Sequence, residues 1–147
     1  MRDELDNILV QKYPKIFRDR NKSMQETCMC WGFSHGDGWY DIVEALCANI
    51  QSHVDWKRRQ HPEMSEEEFD AEHQVIAAQV KEKFGGLRFY VDNCDDYFRG
   101  AVAVAESMSY RICESCGDKG HRRSGGWVKT LCDKCHLSGK RQEGIVS

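Results

Sequence analysis

Two cysteine pairs constrain this chain more than any other feature. Cys113 and Cys116 are separated by two residues, as are Cys132 and Cys135, and fifteen residues lie between the pairs. Each short gap lets one tight turn present two sulfurs to a single ion. The longer gap suits a hairpin that returns the second turn to the first. Thiolate ligands must be deprotonated, which Zn²⁺ makes favourable at neutral pH. The quartet therefore predicts a zinc ribbon holding one structural Zn²⁺. Gly117, directly after Cys116, supplies the backbone freedom such a turn needs. A closed four-thiolate site has no open position for substrate, which argues against a catalytic metal; a non-catalytic protein is the expectation. His121 and His136 stand close by, but the quartet needs neither.

That reading depends on reduced thiols. No run approaches the roughly 20 apolar residues of a membrane span. The opening Met1-Arg2-Asp3-Glu4-Leu5 lacks the apolar core of a signal peptide. A cytoplasmic location is expected, where the eight cysteines stay reduced. Charge is uneven along the chain. Residues 1–110 carry 13 Lys/Arg against 20 Asp/Glu, a balance of −7, and residues 111–147 carry 8 against 4, a balance of +4. The C-terminal part is mildly basic, short of the basic stripe of a committed DNA binder.

Periodicity divides the chain into residues 1–110, an α+β domain; 111–137, the zinc ribbon; and 138–147, a flexible tail. Leu5, Ile8, Leu9 and Tyr13 share a helical face that ends at Pro14, and alternation over Thr27–Phe33 suggests a short strand. Trp39, Ile42, Val43, Leu46, Ile50 and Val54 mark the clearest helix, with Asp37 as its expected cap. Ser65 and Glu68 form a capping box for a short acidic helix to about His73. Residues 74–80 suit either a longer helix or a strand; the hairpin pattern directly after them favours a strand from about Ala77. Gly85–Gly86 reads as a two-residue hairpin turn pairing Phe84 with Leu87, Glu82 with Phe89 and Val80 with Val91. Asn93 or Asp95 caps a last helix with Phe98, Ala101, Val102, Ala105 and Met108 buried. The expected architecture is helices packed on a small antiparallel sheet with a C-terminal zinc ribbon.

Outside the quartet, three groups of residues invite a functional reading. His35, Asp37, Trp39 and Tyr40 surround a glycine turn; they form either a ligand pocket with a general base or a capped helix anchored by Trp39. Lys81, Lys83, Arg88 and Tyr90 share one hairpin face, suited to a phosphate, a nucleotide or an acidic partner, or else to solvent. Glu82 lies on the opposite, apolar face and needs a partner. Arg122, Arg123, Trp127 and Lys129 on the ribbon are candidate nucleic-acid contacts, unless Trp127 packs on the main domain. Cys28, Cys30 and Cys47 read as small buried hydrophobes rather than a second metal site.

The segments Gly38-Trp39-Tyr40-Asp41-Ile42 and Lys81-Glu82-Lys83-Phe84-Gly85-Gly86-Leu87-Arg88-Phe89-Tyr90, followed by the Cys-x-x-Cys-Gly module, resemble a group of small uncharacterised bacterial and bacteriophage proteins. The resemblance covers most of residues 30–136. It implies a phage or prophage context, a C-terminal zinc ribbon and action by binding host machinery. The expected function is a zinc-stabilised binding protein with a protein partner. The alternatives are nucleic-acid binding through the ribbon and a small-ligand or nucleotide-processing pocket using His35, Asp37, Glu82 and Arg88.

Overall fold

Four helices and three strands occupy the chain up to residue 109, after which the cysteine module closes it. The structure is a computed structural model that describes the backbone of residues 1–146 and the side chains of residues 1–139. The helices are α1 (Asp3–Lys12), α2 (Tyr40–Gln60), α3 (Glu66–His73), α4 (Asp96–Ser109) and α5 (Asp133–Val146). The strands are β1 (Phe33–Ser34), β2 (Ile76–Lys83), β3 (Gly86–Asp92), β4 (His121–Arg123) and β5 (Lys129–Leu131). The α+β class is as expected.

Local chemistry explains most boundaries. Ser65 accepts from the Glu68 amide while the Glu68 carboxylate accepts from the Ser65 amide, so the capping box forms at α3. Asp95, not Asn93, caps α4 by accepting from the Phe98 amide at 3.0 Å. Gln74 and Val75 leave α3 extended, and β2 follows at Ile76, close to the favoured start.

Four expectations are corrected. Residues 28–31 form a 3₁₀ turn rather than a strand, and only Phe33–Ser34 joins the sheet, parallel to β2. The sheet is therefore mixed, in order β1-β2-β3. Asp37 does not cap α2: its carboxylate accepts from the Arg2 amide at 2.8 Å and pairs with the Arg2 guanidinium, tying it to the start of α1. The hairpin turn is Phe84–Gly85, with φ of 54° and 81°, rather than Gly85–Gly86. Lys83 pairs with Gly86, Glu82 with Leu87 and Val80 with Phe89. This slides each partner by two residues, so the faces survive: Val80, Leu87 and Phe89 are buried, and Lys81, Lys83, Arg88 and Tyr90 stay opposite them. Finally, α5 runs through most of the stretch expected as a tail. It grows directly out of the second cysteine turn, where the His136 amide donates to the Cys132 carbonyl. Ser147 lies outside the described residues.

The core lies between the sheet's apolar face and helices α1, α2 and α4. Leu9, Phe17, Trp39, Val43, Ile50, Val80, Phe89 and Phe98 belong to one buried cluster.

Candidate metal centre and its docking seam

The four cysteines converge. Their Sγ atoms all lie within 4.8 Å of one another, and Cys116 and Cys132 approach to 3.6 Å. Bonds of about 2.3 Å to one tetrahedral ion set sulfurs about 3.8 Å apart, so the donor set fits a single metal ion. The backbone builds each turn. The Gly117 amide donates to the Cys113 carbonyl at 2.9 Å, with Gly117 at φ 85°. The Cys135 amide points at the Cys132 sulfur at 3.4 Å. Strands β4 and β5 pair antiparallel between the two turns.

The thiols titrate against one another. Burial works to raise Cys113, but backbone hydrogen bonds from Cys132, Cys116 and Ser115 pull it down to about 7. Cys116 is pushed up to about 12: the Asp118 backbone lowers it, and burial together with the neighbouring thiols outweighs that. Cys135 is also raised, chiefly by burial. Crowded sulfurs resist a second negative charge, and a divalent cation removes that resistance. Among the described residues this quartet is the one cluster of three or more His, Cys, Asp or Glu close enough to share an ion. Cys28 and Cys30 stand apart from it, exposed and half-buried.

The glycine turn before α2 is where the metal module docks. The Gly38 amide donates to the Glu114 carbonyl at 2.7 Å. A Cβ on Gly38 would sit 2.1 Å from the Cys113 carbonyl oxygen, and one on Gly36 would sit 2.4 Å from that of Glu114. The Trp39 indole donates to the Ile112 carbonyl at 2.9 Å. On the other side, the Thr130 hydroxyl donates to the Gly85 carbonyl at 2.5 Å. Gly86 lies flat against the Tyr110 ring, where a Cβ would fall 2.4 Å from Cζ. The second glycine of the hairpin thus serves close packing rather than a positive φ.

This seam corrects the expected ligand surface at residues 35–40. Trp39 and His35 are buried. The His35 ring donates from Nδ1 to the Gly36 carbonyl at 2.8 Å, and its Nε2 is enclosed without a partner. Burial pushes this imidazole down to about 4, so it stays neutral. Tyr40 is half-buried against the core. Glu82 accepts from the Gly85 amide at 2.7 Å, which satisfies the odd carboxylate of the hairpin. Arg88 donates to the Tyr110 hydroxyl at 3.2 Å. His35, Asp37, Glu82 and Arg88, the residues of the expected processing pocket, each make a hydrogen bond within the chain.

The ribbon's basic residues divide between two surfaces. Arg122 pairs with Thr130 across β4–β5 and stacks over the Tyr110 ring at 5.4 Å, facing the hairpin. Arg123 pairs with Lys129 and so faces the other way. Arg123, Lys129 and Trp127 line a cleft of about 910 Å³ with Glu114 and His136. Trp127 is 77% exposed and anchors nothing in the main domain.

Sequence patterning did not point to one apolar feature of the surface. A groove of about 860 Å³ runs between α2 and α4, lined by Ala45, Leu46, Tyr97, Gly100, Val104 and Met108. Val104 is 65% and Met108 40% exposed. The signal that could have found it is the run Ala101–Ala105, which is apolar all round the helix and so cannot face only the core.

In comparisons with protein-family models, curated proteins and solved structures, nothing matches this chain. No helix among the described residues is long and apolar enough to cross a membrane.

Proposed function

We propose that this is a zinc-stabilised, non-catalytic binding protein that holds a helical segment of another protein in the α2–α4 groove. The groove itself carries the proposal. It presents large apolar side chains to solvent beside Gly100, where a Cβ would meet no atom within 4 Å, so a helix backbone can approach closely. Asp41 and Asp96 lie among its lining residues on different helices, and among the described residues no Lys or Arg lines it. The complementary occupant is an amphipathic helix with an apolar stripe and basic residues at its ends. Zinc is the metal assigned to the quartet, because four thiolates in two short turns are its usual structural set. The site of action is the cytoplasm. In the bacteriophage setting that the resemblance implies, the partner is a host protein.

Two synthetic helical peptides with the same leucine stripe test this, one ended by lysines and one by glutamates, read by fluorescence anisotropy. The lysine-ended peptide should bind at least tenfold more tightly, and Val104→Glu should abolish its binding. Equal binding of both peptides, or binding that survives Val104→Glu, would remove the groove as the site.

A further inference from the structure

The open face of the sheet continues onto the ribbon through Tyr110. Lys81 and Arg88 are cross-strand partners on that face. The Lys81 ammonium lies over the Tyr90 ring at 5.7 Å. Arg88 donates to the Tyr110 hydroxyl, and Arg122 covers the Tyr110 ring from the ribbon. Lys83 points to the same side of β2 and lies over the Phe84 ring at the hairpin tip, at 5.6 Å. Cations from both the hairpin and the ribbon are thus gathered around the rings of Tyr90, Tyr110 and Phe84.

Among the described residues, none of these four cations is in an ion pair, whereas Lys12, Lys15, Arg20 and Lys57 each meet a carboxylate. The nearby carboxylates are engaged with backbone: Glu82 accepts from the Gly85 amide, and Glu106 accepts from the Phe89 amide at 3.2 Å. On a chain of net charge −3, this face gathers four cations with no carboxylate ion-paired to any of them among the described residues. Two of its rings also reach solvent, with Tyr90 44% and Phe84 60% exposed.

We propose that this face binds single-stranded nucleic acid. Lys81, Lys83, Arg88 and Arg122 meet successive phosphates, and Tyr90 and Phe84 offer rings to the bases. Cations alone would accept any polyanion. Exposed aromatics between them favour a strand whose bases are free to stack, since the bases of a duplex are already stacked inside it. This site is separate from the α2–α4 groove and does not depend on it.

The test uses the full, metal-loaded chain and a fluorescein-labelled 12-nucleotide oligo-dT, titrated by anisotropy from 50 to 300 mM NaCl. Three or four phosphate contacts should give a log–log salt slope of about −2 to −3, since each contributes roughly 0.7 on a single strand. Lys81→Gln with Arg122→Gln should weaken binding at least tenfold and flatten the slope by about 1.4 on the same scale. Tyr90→Ala should weaken it at least fivefold. Lys129→Gln with Trp127→Ala, on the other side of the ribbon, should leave it unchanged. Thermal unfolding of each variant at the parent temperature confirms that the fold is intact. The proposal is overturned by no binding at 50 mM NaCl, by equal affinity for duplex of the same length, or by polyglutamate competing as well as oligo-dT. It is also overturned if the Lys129/Trp127 variant, and not the Lys81/Arg122 variant, loses the strand.

Discussion

Two stretches of this chain share a local pattern, and the fold uses them in opposite ways. Gly36-Asp37-Gly38-Trp39 and Gly125-Gly126-Trp127 each place glycines directly before a tryptophan. Trp39 is wholly buried and Trp127 is mostly exposed. Around Gly36 and Gly38, the carbonyls of Cys113 and Glu114 press so close that no Cβ fits. At Gly125 and Gly126 a Cβ would meet nothing within 4 Å. The first pair of glycines lets two backbones touch. The second gives a loop conformational freedom, with Gly125 at φ 116°. Composition alone does not distinguish the two, because the difference lies in what packs against them.

The largest test of that contrast removes the metal module's support. Cys116→Ser, or a strong chelator, should unfold residues 112–136, since a structural zinc contributes on the order of 10 kcal/mol to such a module. Trp39 would then resemble Trp127. Its indole loses the Ile112 carbonyl, and the remaining tryptophans, Trp31, Trp56 and Trp127, are already exposed, so a red shift in emission reports Trp39. Retained metal and unchanged protease resistance in Cys116→Ser would contradict the ribbon assignment.

Gly38→Ala attacks the seam directly. Its methyl meets a backbone oxygen that cannot swing away, so a loss of about 4 kcal/mol is expected in urea unfolding. A loss below about 1 kcal/mol would mean that the seam is loose.

His35 offers a test by pH. The folded imidazole is held neutral to about 4, with burial as the main cause, while the unfolded chain takes up its proton near 6.5. The unfolded state therefore binds more protons in this window, and the native state loses stability as pH falls from about 6.5 towards about 4. Full development of that difference amounts to roughly 3 kcal/mol. His35→Gln should remove this slope, so parent and variant should converge or cross between pH 7 and pH 4.5 in paired melts. Acid protonates the cysteines of both proteins alike, so the difference isolates His35. Parallel curves would show that the ring is not held neutral.

Gly126→Ala is the smallest effect. It should change stability by less than about 0.5 kcal/mol, because the methyl enters open space. A large loss would mean that the loop packs against something.

Features set by neighbours in sequence were legible: the cysteine turns, the α3 capping box, the α2 periodicity and the alternation that separates the two hairpin faces. What was hidden depends on contacts between distant segments. Asp37 has the chemistry of a helix cap, yet Arg2 holds it from α1. The Gly85–Gly86 pair suggests a turn, but Tyr110 claims the second glycine for packing and shifts the turn onto Phe84. The shift preserved the faces because partners moved by an even number of residues. Arg122 and Arg123 are neighbours in sequence, and strand alternation sends them to opposite sides of the ribbon.

The position of Phe84 bears on engineering. A non-glycine residue at φ 54° sits in the left-handed region, where asparagine or glycine is at ease and a phenylalanine is disfavoured by about 1 kcal/mol. Its ring lies outside the core, so the fold gains little packing from it. Phe84→Asn is thus the substitution by which a more heat-resistant version of this protein would be sought first, and the same change would remove one of the rings assigned to the nucleic-acid face. Thermal tolerance and ligand affinity are expected to move in opposite directions at this one codon.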